Sequence, residues 1–525
     1  MKKRILWPGM LMCMGLIVGM LSSCGGVLGV DRGPSMVVGM SEEILATDPA
    51  SGYDPGSWMI FNNVFQSLLT FPPGATDPEP DAAERCSFTD EDARIYKCIL
   101  KDDLHFSNGD PLTVDDVKFS FDRMLDIDDA AGPAVMFKSL KKVEVPDDST
   151  VIFRLKSPDA TFPSKIASGA GSIVDHRQYS RSSLRTDGEA VGSGPYTLQD
   201  IDTKRAVFAV NDKYRGAAEV ENSGVTLRFF HGNQKALKQA LLEGSVDIAY
   251  RGLSERDIAD IEVQSKKRGI EVVEGNSAEI QHLVFNMKDP AAGNLAVRKA
   301  MAYLVDRQAL IQDVYRDTAI PLYSTIPTGI AGHTTAFFDM YGPNPSRVKA
   351  EEVLRAAGIT KKVKLTLWST PTRYGPATDE ELAAIAKQLD ASGLFDAHMK
   401  SVAFEQYEKD VAAGRYGVYV KGWVPDYPDA DNFTSPFFGP GNVLKNSYEN
   451  KKITGTLLPR TAVESDRLDT QADFGELQEI VAQDVPILPI WQAKQYAVIR
   501  DGVHHGVEYC LDESTVFRFW RLSKD

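Results

Sequence analysis

The sequence predicts an α/β protein built on open sheets, and three observations carry that expectation. Strand-like apolar runs alternate with amphipathic helical patterns along the chain. Several helical patterns begin at capping sequences and end at glycine. Neither a repeat of fixed period nor a long Pro- or Ser-rich linker breaks the alternation. About five hundred residues follow an N-terminal leader, too many for one core, so two or three domains are expected.

Taken in order, Met36–Met40 reads as a strand. Thr113-x-x-Asp116 forms a capping box ahead of Val117, Phe121, Met124 and Leu125, which share one helical face. Val225–Phe230 reads as a strand, and Ala236, Leu237, Ala240 and Leu241 mark a helix that stops at Gly244. Ile270–Val273 and Ile280–Asn286 read as two further strands. Helices are expected at 294–305 and at 346–357, the second ended by Gly358. From 363 to 421 the order is strand (Val363–Trp368), helix (378–391), strand (401–404), helix (405–413) and strand (Tyr416–Lys421). Thr378-x-x-Glu381 caps the first of these helices over Leu382, Ile385 and Leu389, and Gly414 stops the second. Such alternation predicts mostly parallel sheets.

Ligands of open α/β sheets bind just beyond the carboxyl ends of strands. The stretch "GWVPDYPDADNF" (422–433) sits there, with Trp423 and Asp426 two and five residues past Lys421. A carboxylate in that place suits a metal site, a catalytic acid or a cationic ligand. A calcium loop needs a glycine at its sixth position and a glutamate at its twelfth, and this stretch has neither. Asp429 and Asp431 read as turn and capping residues. Trp423 is either a flat wall that attracts cations or a core tryptophan under the loop. Arg373, just past the Val363–Trp368 strand, is a candidate ligand contact or a solvated loop arginine.

The chain opens with Lys2, Lys3 and Arg4, then an apolar run from Met10 to Leu21, then Leu21-Ser22-Ser23-Cys24. That pattern predicts an export signal of residues 1–23 ending in a lipoprotein processing site; the alternative is a plain N-terminal membrane helix. The apolar run is short for a span. A diacylated Cys24 would anchor the chain stably, with 24–35 as tether. Removing residues 1–23, which hold three cations and no anion, takes the formal charge from −15 to −18. With no basic stripe, nucleic acid is a poor partner. Cys86 and Cys98 flank a polar turn and are expected to form a disulfide in an oxidising compartment, against two buried thiols; Cys510 lacks an obvious partner.

No G-x-S-x-G, G-x-x-x-x-G-K-[ST], H-E-x-x-H or helix-opening G-x-G-x-x-G is present. The histidines are scattered apart from His504-His505, an expected exposed loop, and no Cys/His spacing suits zinc.

Five segments resemble one family. "TDPASGYDPGSWMIFNNVFQSLLTF" (47–71), "DLHFSNGDPLTVDDVKFSFDRM" (103–124), "GSGPYTL" (192–198), "FNMKDPAAGNLAVRKAMAYLVDRQAL" (285–310) and "DVPILPIWQAKQYAV" (484–498) are similar, in type and order, to family 5 extracellular solute-binding proteins. These include dipeptide- and oligopeptide-binding components of ABC importers. The 422–433 loop resembles the family's G-W-x-x-D stretch, whose aspartate, matched here by Asp426, meets a peptide's α-ammonium group. Asn62 and Asn63 lie in the first segment and are candidates to line the cleft.

The resemblance implies an α/β, two-lobe periplasmic-binding-protein-like fold with a discontinuous first lobe, an inserted subdomain and a two-segment hinge. Lobe I is expected at 36–62, 190–282 and 492–525, the insertion at 63–189 and lobe II at 283–491. Crossovers are expected near His282–Asn286 and Ile487–Trp491. It implies a monomeric, non-catalytic peptide-binding lipoprotein without metal or cofactor, which delivers its ligand to ABC permease subunits at the extracytoplasmic face of a bacterial membrane. Rivals keep the fold for a nickel chelate, haem, an opine or an oligosaccharide, or make the protein a lipid-anchored enzyme or an envelope peptide sensor.

Overall fold

A computed structural model describes residues 32–375 and 377–525, without the side chains of 264–268, 372, 504 and 505. The expected signal 1–23, Cys24 and most of the 24–35 tether lie outside the described residues, as do the His504 and His505 side chains. No described helix is long and apolar enough to cross a membrane.

One sheet of eleven strands runs through the molecule. Its order is Phe395–Ser401, Val363–Ser369, Val418–Trp423, Ile270–Phe285, Ile487–Arg500, Ile248–Tyr250, Met36–Met40, Gly224–Phe229, Arg205–Val210 and Tyr196–Ile201, with Ala319–Pro321 added on Ile487–Arg500. A separate four-stranded antiparallel sheet holds Ala83–Phe88, Ile95–Leu100, Thr150–Leu155 and Leu140–Glu144. Apolar burial divides accordingly. One core draws on residues between 278 and 491, and another on residues 50–173 plus Tyr427. Two smaller clusters combine residues from 36–65, 174–270 and 497–522. The architecture is α/β and two-lobed.

The expectation of mostly parallel sheets fails. Among the described strands, pairing is parallel only around Val363–Ser369 and around Met36–Met40. Elsewhere tight turns and returning crossover segments impose antiparallel pairing.

Local signals explain several of the helices. Thr113 and Asp116 form the expected capping box on Val114–Ile127, with the Thr113 amide donating to Asp116 Oδ2 at 2.8 Å. Gln234–Glu243 ends at Gly244, whose φ of 80° is the left-handed conformation that glycine adopts without strain. Arg347–Ala356 and Ala377–Ala391 form close to their expected bounds. The expected 401–404 strand sits earlier, at Phe395–Ser401, an edge strand whose largely exposed second half gives no apolar run.

Ile270–Val273 and Ile280–Asn286 are not two strands but parts of one, Ile270–Phe285. It pairs antiparallel with Ile487–Arg500 along both lobes. The ladder slips between Asn276 and Ile280, where Ser277, Ala278 and Glu279 lie outside the register. This break lies upstream of the expected His282–Asn286 crossover.

Candidate ligand site

The strand Val418–Trp423 delivers the 422–433 loop to the junction of the lobes. Gly422 lets the strand pass close to Tyr374, since a Cβ there would lie 3.0 Å from its ring. Trp423 is half-buried. Its Nε1–H donates to Asn432 Oδ1 at 2.8 Å and its ring meets Phe437 edge-on at 5.2 Å. The buried Asn432 organises the turn, because its Oδ1 also accepts from the Asp426 amide at 3.2 Å and its Nδ2 reaches Asp426 Oδ2 at 3.5 Å.

Asp426 is half-buried, and Tyr53 stands close enough to its carboxylate for each group to shift the other's titration. Burial raises its pKa from the ordinary range, while Tyr53, Asn432 and the Lys165 charge pull it back. Tyr53 is pushed up strongly by burial and by Asp426, so it stays a donor. Next in the chain, Tyr427 is 5 % exposed and packs among side chains of the 50–173 core, with Lys165 Nζ 5.8 Å from its ring centre.

The other two aspartates of the loop are occupied. Asp429 takes both ends of the Arg467 guanidinium at 2.7 and 2.8 Å and caps Ala430–Phe433 by accepting from the Asp431 amide at 2.7 Å. Asp431 accepts from the Ser435 hydroxyl at 2.6 Å.

The remaining sequence candidates are dispersed. Arg373 is exposed, with its guanidinium 5.5 Å from the Phe404 ring centre. Asn62 is half-buried. Asn63 is 0 % exposed and cannot line a cleft. Its amide donates to Met59 and Phe517 carbonyls at 2.8 and 2.9 Å and accepts from the Phe519 amide at 3.0 Å, tying Pro55–Val64 to the C-terminal segment. Cys86 and Cys98 form a disulfide directly across the Ala83–Phe88 and Ile95–Leu100 pair. Cys510 is a buried free thiol, pushed up to about 12 by burial.

Beside the register break lies a cavity of about 320 Å³, walled by both lobes. Tyr250, Tyr315, Tyr374, Trp491 and Tyr496 line it, together with Glu42, Arg251 and Glu279. Val424 reaches it, whereas Asp426, Trp423 and Arg373 are outside its wall. Sequence reasoning missed Glu42, Arg251 and Glu279. The one signal for Glu279 was the polar "GNSAE" (275–279) between two apolar runs of a strand.

Asp116, Asp175 and His176 bring ligand atoms within 4.8 Å of one another. Structural bonds already engage them, because Asp116 caps its helix and accepts at 2.7 Å from His176 Nδ1, and Asp175 pairs with Arg177 at 2.6 Å.

A two-lobed α/β body with a cavity at the crossover and a carboxylate between the lobes defines a solute-binding protein. Residues 77–445 match the bacterial extracellular solute-binding proteins, family 5, and the chain belongs to that family. It is 24 % identical over 504 residues to the probable D,D-dipeptide-binding periplasmic protein DdpA of Escherichia coli K12, covering 93 % of this chain and 94 % of that one. Haem-binding protein A of Haemophilus influenzae is 24 % identical over 486 residues, covering 87 % and 86 %. The structure of the Helicobacter pylori periplasmic binding protein DppA in complex with peptide STSA superposes with a TM-score of 0.75 at 21 % identity, covering 94 % and 98 %.

Proposed function

We propose that this protein is the substrate-binding component of an ABC peptide importer, lipid-anchored through Cys24, and that Asp426 receives the peptide's N-terminal ammonium. The carrying observation is the half-buried Asp426 carboxylate, held between the lobes with its charge disfavoured by burial. An arriving ammonium relieves that cost, and a charged hydrogen bond contributes about 1.5–3 kcal/mol. The peptide backbone pairs with groups of the cleft as in strand addition, so many sequences are accommodated. Trp423, anchored by Asn432, walls the ammonium position. Arg373 is the sequence candidate for the ligand's carboxylate end. Closure bends the two long strands at the 276–280 register break, and the permease receives the closed complex.

Two relatives named for dipeptides or peptide support this reading. The relative named for haem keeps a non-peptide ligand in view, but the Asp426 site favours an amine. Mass spectrometry of the molecule released on mild denaturation, paired with uptake of labelled peptides by cells with and without the gene, tests the proposal. Recovery of peptides and loss of uptake are expected; recovery of a porphyrin or sugar with unchanged peptide uptake would refute it.

A further inference from the structure

The cavity at the crossover carries an unbalanced charge. Its lining includes three carboxylates, Glu42, Glu255 and Glu279, and two cations, Arg251 and Lys494. Both cations are engaged. Arg251 pairs with Glu42 at 3.1 Å and donates to the Tyr250 hydroxyl at 3.2 Å, while Lys494 pairs at 3.0 Å with Glu274, outside the lining.

Glu279 is different. Its amide donates to Ser277 Oγ at 3.0 Å, but among the described residues no hydrogen bond or ion pair reaches its carboxylate. The ladder slip between Asn276 and Ile280 places it there, because a residue in register would have a ladder partner and a neighbour on its own face. Among the described residues, Oε2 of Glu42, another residue of this wall, is closed to solvent and has no hydrogen-bond partner. A half-buried carboxylate left this way is costly unless something pairs it. The charged groups acting on Glu279 are Arg251, Glu42 and Arg373, and burial still raises its pKa against the two arginines.

The rest of the wall suits one kind of occupant. The tyrosine and tryptophan rings offer apolar surface for a methylene stem and π faces that attract a cation. At about 320 Å³ the volume lies within the usual range of small-molecule sites.

We propose that this cavity is a subsite for a basic side chain, with Glu279 as its counter-charge, so that the solute is a peptide carrying lysine or arginine. This rests on the peptide reading above and adds a specificity to it. Asp426 meets the amino end common to all peptides, whereas Glu279 selects among them.

The test is calorimetric titration of the wild-type chain with alanine tripeptides that carry one lysine, or the uncharged norleucine, at each position in turn. At one position lysine is expected to bind at least tenfold tighter than norleucine, and Glu279→Gln is expected to cut that ratio below threefold. If lysine and norleucine bind alike at every position, the subsite is refuted while peptide binding stands. A lysine preference that Glu279→Gln leaves intact refutes the role of Glu279. If no tripeptide binds, the peptide reading and this one fall together. The wild-type comparison decides the first question even if the variant does not fold.

Discussion

Tyr53, in the loop that leads into Pro55–Val64, stands beside Asp426, in the loop that leaves Val418–Trp423, so the two lobes meet at the carboxylate proposed to hold the ligand. The neutral tyrosine does not cancel the charge of that carboxylate. Asp426→Asn keeps the shape and removes the charge. We expect at least tenfold weaker binding of a free-amine tripeptide, which corresponds to about 1.4 kcal/mol. Thermal stability should change little, because burial already disfavours the lost charge. Equal affinities of the two proteins in calorimetry would remove Asp426 from the site.

The same carboxylate predicts a pH dependence. Its pKa is raised in the folded chain, so its stability contribution is present at low pH and lost as pH rises through the folded value. Binding runs the other way, because an ammonium needs the ionised form. Affinity for a free-amine peptide should therefore fall with acidification, starting above the ordinary aspartate range. An N-acetylated peptide should bind far more weakly and show no such slope. Parallel pH profiles for the two peptides would contradict the ammonium role.

A buried pair joins two of the segments that carry the family likeness. Arg123 forks onto Asp48 at 2.7 and 2.6 Å, and both side chains are 1 % exposed. Asp48 also accepts from the Arg185 and Ala50 amides at 2.7 and 3.0 Å. Arg123→Met would leave that carboxylate buried and uncompensated, a loss of about 3–5 kcal/mol. Chemical denaturation should show it as a lower midpoint. A midpoint within error of wild type would mean that water or a rearranged side chain replaces the arginine.

Local signals were readable in the sequence, and relationships across distance were not. The Thr113–Asp116 box, the Gly244 stop and the strand-end placement of Asp426 each depend on residues close in sequence. The Arg123–Asp48 pair spans 75 positions, and no periodicity announces it. Asn63 stands in a segment that looks like a ligand-binding signature, yet its amide serves the C-terminal backbone 454 positions away. The apolar runs on either side of "GNSAE" read as two separate strands. Only the continuous partner Ile487–Arg500 shows the interruption to be a slip within one strand, and only that slip reveals Glu279.

The Cys86–Cys98 bridge ties neighbouring strands of the four-stranded sheet, with Cα atoms 4.1 Å apart. Closing so short a loop restricts the unfolded chain by about 3 kcal/mol. Replacing both cysteines by alanine should lower the melting temperature and leave peptide affinity within twofold, since neither residue lines the crossover cavity. A large affinity loss in a variant that remains folded would show that this sheet communicates with the cleft.

Glu381 gives the sharpest pH test of the fold. It is 0 % exposed at the start of Ala377–Ala391, and its Oε2 accepts from Gln281 Nε2 at 2.5 Å, from Trp491 Nε1 at 3.0 Å and from the Tyr315 hydroxyl. It thereby touches both crossover strands and two side chains of the cavity wall. Burial raises its pKa to about 7, against an unfolded value of 4.5, and the three donors only partly oppose this. Its stabilising effect is therefore complete below about pH 4.5 and gone above about pH 7, a difference on the order of 3 kcal/mol. His282, 1 % exposed and lowered to about 3, acts in the opposite sense, since the unfolded chain takes up its proton as pH falls below 6.5. The wild-type melting curve alone mixes the two. The difference between wild type and Glu381→Gln isolates Glu381, because His282 is common to both. That difference should shift against wild type as pH rises from 4.5 to 7 and level off above. A constant difference across the window would mean that Glu381 keeps one protonation state throughout, and that its bonds to Gln281 and Trp491 are indifferent to pH.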